Sequence, residues 1–95
     1  MGKSSRVMAK KIFYEGRVQG VGFRFGVRQI AAGFVVAGHA ANLPDGRVEV
    51  VLQGERDEVE GMEKEIARSH LEGFIRGQEV EEVAVEAGRK GFQIR

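Results

Sequence analysis

The order of its periodic segments most constrains this chain. Apolar residues recur at helical spacing twice, as Phe23, Val27, Ile30, Ala31 and Phe34, and again as Val59, Met62, Ile66 and Ala67. Midway between them sits Pro44-Asp45-Gly46, where Pro presets a tight turn and Gly accepts φ > 0 at its end. Residues rich in β-formers flank each piece: 11–18, 35–43, 47–53, a stretch around Val80, Val83 and Val85, and a short end at 91–95. In 47–53, Val48, Val50 and Leu52 alternate onto one face, with Val51 the exception. The order is therefore β-α-β-β-α-β with one extra short strand. Each helix must join parallel strands and the central pair is a hairpin. Right-handed crossovers then select a ferredoxin-like α+β fold: a two-layer βαββαβ sandwich, an antiparallel sheet with two helices on one face.

Smaller signals refine the boundaries. Asp57 precedes Glu60 by three, the spacing of a capping box, and Gly61 weakens the second helix by about 1 kcal/mol relative to Ala. The stretch 71–77, with two glycines around Phe74 and Ile75, carries no clear period. Residues 1–10 are polar and basic, without the apolar core of a secretion signal. They read as a frayed tail before one domain at 11–95, with the cytoplasm as the expected compartment.

Composition removes several function classes. With no cysteine, the chain has no disulfide, thiolate metal site or cysteine nucleophile. His39 and His70 are the only histidines and lie in no repeating ligand pattern, so no structural or catalytic metal cage is expected. Fifteen basic residues against fourteen acidic give a net charge of +1, without the domain-wide basic excess of a nucleic-acid binder. No apolar run reaches the ~18 residues of a membrane span. A local site for one anion remains compatible with all of this.

Such a site is written into the loop Gly16-Arg-Val-Gln-Gly-Val-Gly22 and the Phe23-Arg24 that follows. Glycines let backbone N–H groups turn toward one point without side-chain clash. A helix start contributes unpaired N–H groups and the positive end of its dipole. An arginine in the first turn adds a planar fork that fits phosphate oxygens. The loop is neither a Walker loop, lacking Gly-Lys-Ser/Thr, nor a dinucleotide fingerprint, since its glycines fall at 16, 20 and 22. Asn42, just before the Pro44-Asp45-Gly46 turn, is the second candidate, a neutral amide that can hold a water by hydrogen bonds but cannot serve as a strong base.

Together these motifs resemble the acylphosphatase family. The nine residues from Gly16 to Arg24 are similar to its signature loop. Gly38-x-x-x-Asn42-Leu-Pro-Asp-Gly-Arg-Val-Glu49 resembles its second signature, and Phe92-Gln-Ile-Arg95 its last strand. The resemblance covers residues 11–95. It implies a monomeric hydrolase of small acyl phosphates that uses neither metal nor cofactor, with inorganic phosphate as product and inhibitor. Arg24 then matches the catalytic arginine and Asn42 the water-orienting asparagine. The main chain of Gln19, Gly20, Val21, Gly22, Phe23 and Arg24 would cradle the phosphoryl oxygens. The sequence departs from the family pattern at Gly38-His39-Ala40, where Gly-Trp-Val is usual, at Phe34-Val35-Val36, where Leu-Gly-Leu often ends the first helix, and in a longer 71–78 segment without proline.

Other residues invite plainer readings. His39 alternates away from Asn42, because residues 38, 40 and 42 share a face. His70 fits a half-buried position on the second helix, and Asp45 belongs to its turn. For Gln19 the main-chain N–H, rather than the side chain, is the expected anion contact. Two competing functions are a catalytically weak or inactive anion- or partner-binding domain, with the related idea of a carbamoyl-phosphate-handling domain like that at the front of much longer hydrogenase maturation proteins, and an RNA-binding sheet. The latter would need paired aromatics on adjacent strands, which this sequence does not present.

Overall fold

A computed structural model of the chain describes residues 6–95. Its elements are β1 (Val7–Gly16), α1 (Phe23–Ala31), β2 (Val36–Asn42), β3 (Val48–Glu55), α2 (Arg56–Arg68), a 3₁₀ turn (His70–Phe74), β4 (Ile75–Val83) and β5 (Phe92–Ile94). The sheet order is β4-β1-β3-β2-β5. The first four strands pair antiparallel, as the split βαβ topology requires, and β5 adds parallel to β2. The expected sandwich is present, and its sheet is mixed rather than wholly antiparallel.

Alternation builds the core. Met8, Ile12 and Tyr14 on β1 point the same way as Val48, Val50 and Leu52 on β3, and they meet Phe23, Val27 and Ala31 of α1 and Val59, Met62 and Ile66 of α2. Val51, the exception in the β3 pattern, is also buried, on the opposite face. The segment between β4 and β5 is fastened across that face. Glu86 N–H donates to Gln53 Oε1 at 2.9 Å, and Gln53 Nε2 returns a bond to the Glu86 carbonyl at 3.0 Å.

Several boundaries depart from the sequence reading. β1 begins at Val7, so the predicted tail at residues 1–10 is too long: residues 7–10 pair with 52–55 of β3. Residues 1–5 lie outside the described residues. At its other end β1 stops at Gly16, and Val18 is buried within the loop. α1 closes at Ala31, not near Phe34, because Gly33 N–H and Phe34 N–H bond back only three residues, to Ile30 and Ala31. The capping box does not form. α2 starts two residues early, at Arg56 rather than residue 58, and Arg56 Nη1 donates to Glu60 at 3.1 Å. Glu58 instead accepts the Val35 N–H at 2.7 Å, tying the end of the α1–β2 connection to the first turn of α2.

Gly61 has a packing reason. A Cβ there would lie 3.0 Å from the Phe34 ring, so its absence lets Phe34 lie against α2. The unassigned 71–77 stretch becomes the 3₁₀ turn and the start of β4. Ser69 Oγ accepts from Leu71 N–H and donates to the Ile66 carbonyl, ending α2 and directing Leu71 into the core. That turn leaves His70 exposed, not half-buried as its i+4 spacing from Ile66 suggested.

Tyr14 carries the one buried side-chain polar atom without a partner among the described residues, its hydroxyl. Its ring packs on Phe23, centroids 5.3 Å apart. Burial, reinforced by the Glu63 carboxylate, holds its pKa well above the ordinary tyrosine value. A raised folded-state pKa contributes stability below the unfolded value of about 10 and loses it as pH rises beyond. Tyr14→Phe keeps the ring and removes the unpaired hydroxyl. Urea unfolding of the variant should therefore give equal or higher stability, by up to about 1 kcal/mol at pH 7, with a shallower loss above pH 10.

Candidate functional site

The 17–22 loop spans the end of β1 and the start of α1, on the helix-covered side of the sheet. Glycine conformations shape it: Gly20 (φ 78°) and Gly22 (φ 81°) are left-handed, and Gly22 is the residue before the helix. No side chain caps α1. Among the described residues, the backbone N–H groups of Gln19, Gly20, Val21, Gly22, Phe23 and Arg24 find no protein acceptor. The first inward bond comes from Gly26 N–H to the Gly22 carbonyl, at 3.0 Å. The loop and helix start thus offer a run of unpaired donors together with the positive end of the α1 dipole.

Two fastenings bring this loop to Asn42. Gln19 Nε2 donates to the Leu43 carbonyl at 2.8 Å and to the Arg47 carbonyl at 3.0 Å, the two residues that flank the hairpin turn. Leu43 N–H also bonds the Arg47 carbonyl, at 2.8 Å. The second fastening runs through β5. Arg24 Nη1 donates to the main-chain oxygen of Arg95 at 2.7 Å, and Arg95 N–H donates to the Ala40 carbonyl at 2.8 Å. Ala40 and Leu43 bracket Asn42, so the loop reaches the strand end on both sides of it. Asn42 pairs with Val48 in the ladder and is exposed. It alternates onto the same face as Ala40, the face that α1 covers.

The sequence candidates therefore assemble in one place. Arg24, Asn42 and the Gln19–Arg24 main chain lie around the mouth of the β1–α1 loop. A guanidinium carries five N–H donors, so the Arg95 contact leaves most of that of Arg24 available. The Gln19 side chain acts as the brace between loop and hairpin, and it is the main chain at this position that remains unpaired. Sequence reasoning did not find that brace or the Arg95 main chain. Their partners lie 24, 28 and 71 residues away, and no local period marks such pairs.

His39 stands on the opposite face, opposite Val51 in register, with Nε2 3.3 Å from Glu49 Oε1. Asp45 stays in its turn. Its carboxylate accepts from Arg47 N–H and Nε at 3.0 and 2.8 Å, and these bonds hold its pKa below the usual carboxylate value. That contribution is present above the unfolded pKa and lost as acid takes pH through the lower, folded one.

The architecture and this loop define a small ferredoxin-like domain with an uncapped helix start. The model of the family described as Acylphosphatase matches residues 10–94. An acylphosphatase of Rubrobacter xylanophilus is 39% identical over 85 residues, spanning 90% of this chain and 77% of that protein. The chain belongs to the acylphosphatase family, and the hydrolase reading of its motifs agrees. Among solved structures, the acylphosphatase of Bacillus subtilis superposes with a TM-score of 0.83 at 30% identity, covering 93% of this chain and 98% of that one. Full-length HypF, solved in a phosphate- and nucleotide-bound form, matches with a TM-score of 0.84 at 30% identity; the match covers all of this chain but 12% of that one.

Gln19→Ala removes both brace bonds and leaves the Leu43 and Arg47 carbonyls with one donor fewer. Thermal or urea unfolding should show a loss of about 1–2 kcal/mol. Amide exchange should quicken at Leu43 while remaining slow in β1.

Proposed function

We propose that this chain hydrolyses the carboxyl-phosphate bond of small acyl phosphates, giving a carboxylate and inorganic phosphate without a metal or cofactor. The supporting observation is the juxtaposition just described: an arginine fork and a run of unpaired N–H groups, fastened on both sides of an exposed asparagine.

The chemistry asks for little else. A carboxylate is already a good leaving group, so general acid help is not needed. What must be supplied is a grip on the phosphoryl oxygens, stabilisation of their charge and a water in line. In this reading Arg24 and the amides of Gln19, Gly20, Val21, Gly22 and Phe23 hold the oxygens. Asn42 orients the attacking water through its carboxamide. The water oxygen forms a bond to phosphorus as the bond from phosphorus to the acyl oxygen breaks. That electron pair leaves on the carboxylate. One proton of the water passes to a phosphoryl oxygen of the substrate, so the phosphate leaves as the monoanion and no side-chain base is required. Catalysis rests on placing charge and water.

Benzoyl phosphate hydrolysis is the direct assay. Activity should persist in excess chelator and be inhibited competitively by inorganic phosphate. Arg24→Ala should lower kcat/KM by roughly 10³-fold. Asn42→Ala should lower kcat by roughly 10²-fold while KM stays near the parent value, since water rather than substrate loses its partner. Phosphate binding at the loop with no turnover above the uncatalysed rate would instead identify a binding domain that keeps the fold.

A further inference from the structure

The sheet face opposite the helices carries a second constellation that the reaction does not use. The segment after β4 crosses this face between the two sheet edges, fastened by the Gln53–Glu86 pair of bonds and by Arg89 Nη1, which donates to Gln53 Oε1 at 3.0 Å. It closes against β2 where Gly38 N–H donates to the Gly91 carbonyl at 2.9 Å. Under and beside it lie two adjoining concavities of about 400 and 340 Å³, which share His39, Glu86, Arg89 and Arg95 as walls.

The charges of these walls are asymmetric. Glu49 is matched by Lys11 Nζ at 3.4 Å and by His39, and Glu86 by Arg89 Nη2 at 2.6 Å. Lys90 and Arg95 also line the space and make no ion pair among the described residues. Two positive side chains are therefore left over beside the Arg89 guanidinium, which is itself largely buried and held in place. The acidic residues of β4 stand at the far edge of the sheet, across β1 and β3, so the positive end lies toward β5. His39, nearly buried, lines both concavities.

We propose that this concavity binds a small multivalent oxyanion, seated between Arg89, Lys90 and Arg95 over His39 and distinct from the loop at Arg24. A planar guanidinium whose orientation is already fixed loses little freedom on taking a second acceptor. The unpaired Lys90 and Arg95 add charge without having to leave a partner.

The test is a ¹H–¹⁵N NMR titration of the full chain with inorganic pyrophosphate. Saturable shifts should appear at His39, Gly88, Arg89 and Gln93 as well as at the Gln19–Arg24 loop. Arg24→Ala should abolish the loop shifts and leave the open-face set intact. The double variant Arg89→Gln, Lys90→Gln, checked for an unchanged melting profile, should weaken the open-face site about tenfold and spare the loop. The proposal is overturned if open-face amides do not move in the parent chain. It also fails if their movement vanishes with Arg24→Ala or is unaffected by the double variant. None of these readouts depends on hydrolysis, so the proposal stands or falls apart from the proposed enzymatic activity.

Discussion

The brace from Gln19 to the carbonyls of Leu43 and Arg47 is the contact on which the rest of the site depends. A loop with left-handed glycines at 20 and 22 has many conformations open to it. Its unpaired N–H groups are useful only if their direction is fixed before an anion arrives. One side-chain amide, donating twice across the gap between β1–α1 loop and hairpin, settles both segments at once. The Arg24–Arg95–Ala40 relay does the same from the other flank, at the cost of one of the guanidinium's donors. Preorganisation of this kind matters because charge stabilisation is strongest when the donors need not reorganise as the reaction proceeds.

The fold provides the frame for that brace. β2 and β3 end together at the Pro44-Asp45-Gly46 turn, and β1 runs antiparallel beside β3, so the loop leaving β1 emerges at the hairpin end of the sheet. Phe23 is buried against Tyr14 and anchors the first turn of α1 over the sheet. The helix start is thereby held by the core while its N–H groups face out. Arg95, continuing β5 alongside β2, brings an acceptor to Arg24. Three separate segments of the sequence meet at this spot.

Much of this arrangement was legible in the sequence, because it rests on local rules. Helical spacing located α1 and α2, the Pro-Asp-Gly turn located the hairpin, and strand alternation put His39 and Asn42 on opposite faces. What escaped depended on distant partners. β1 reaches back to Val7 because β3 is long enough to pair with it, and nothing in residues 7–10 alone states that. The Asp57–Glu60 spacing suggested a capping box, yet Arg56 took Glu60 and Glu58 turned to the Val35 amide. The weak helix former Gly61 made sense only once Phe34 was seen against it. For the site, residue types pointed to Arg24 and Asn42, while the braces that fasten their surroundings required the folded chain.

The central claim is that one tetrahedral anion sits between the Arg24 guanidinium and the Gln19–Arg24 main chain, within a water's reach of Asn42. A crystal soaked in phosphate tests it most directly. The account predicts an anion bonded to the Arg24 fork and to several of those amides, with a water held by the Asn42 carboxamide beside it. An anion seated elsewhere with the loop amides left unbonded, or an Asn42 side chain turned away from the anion, would contradict it.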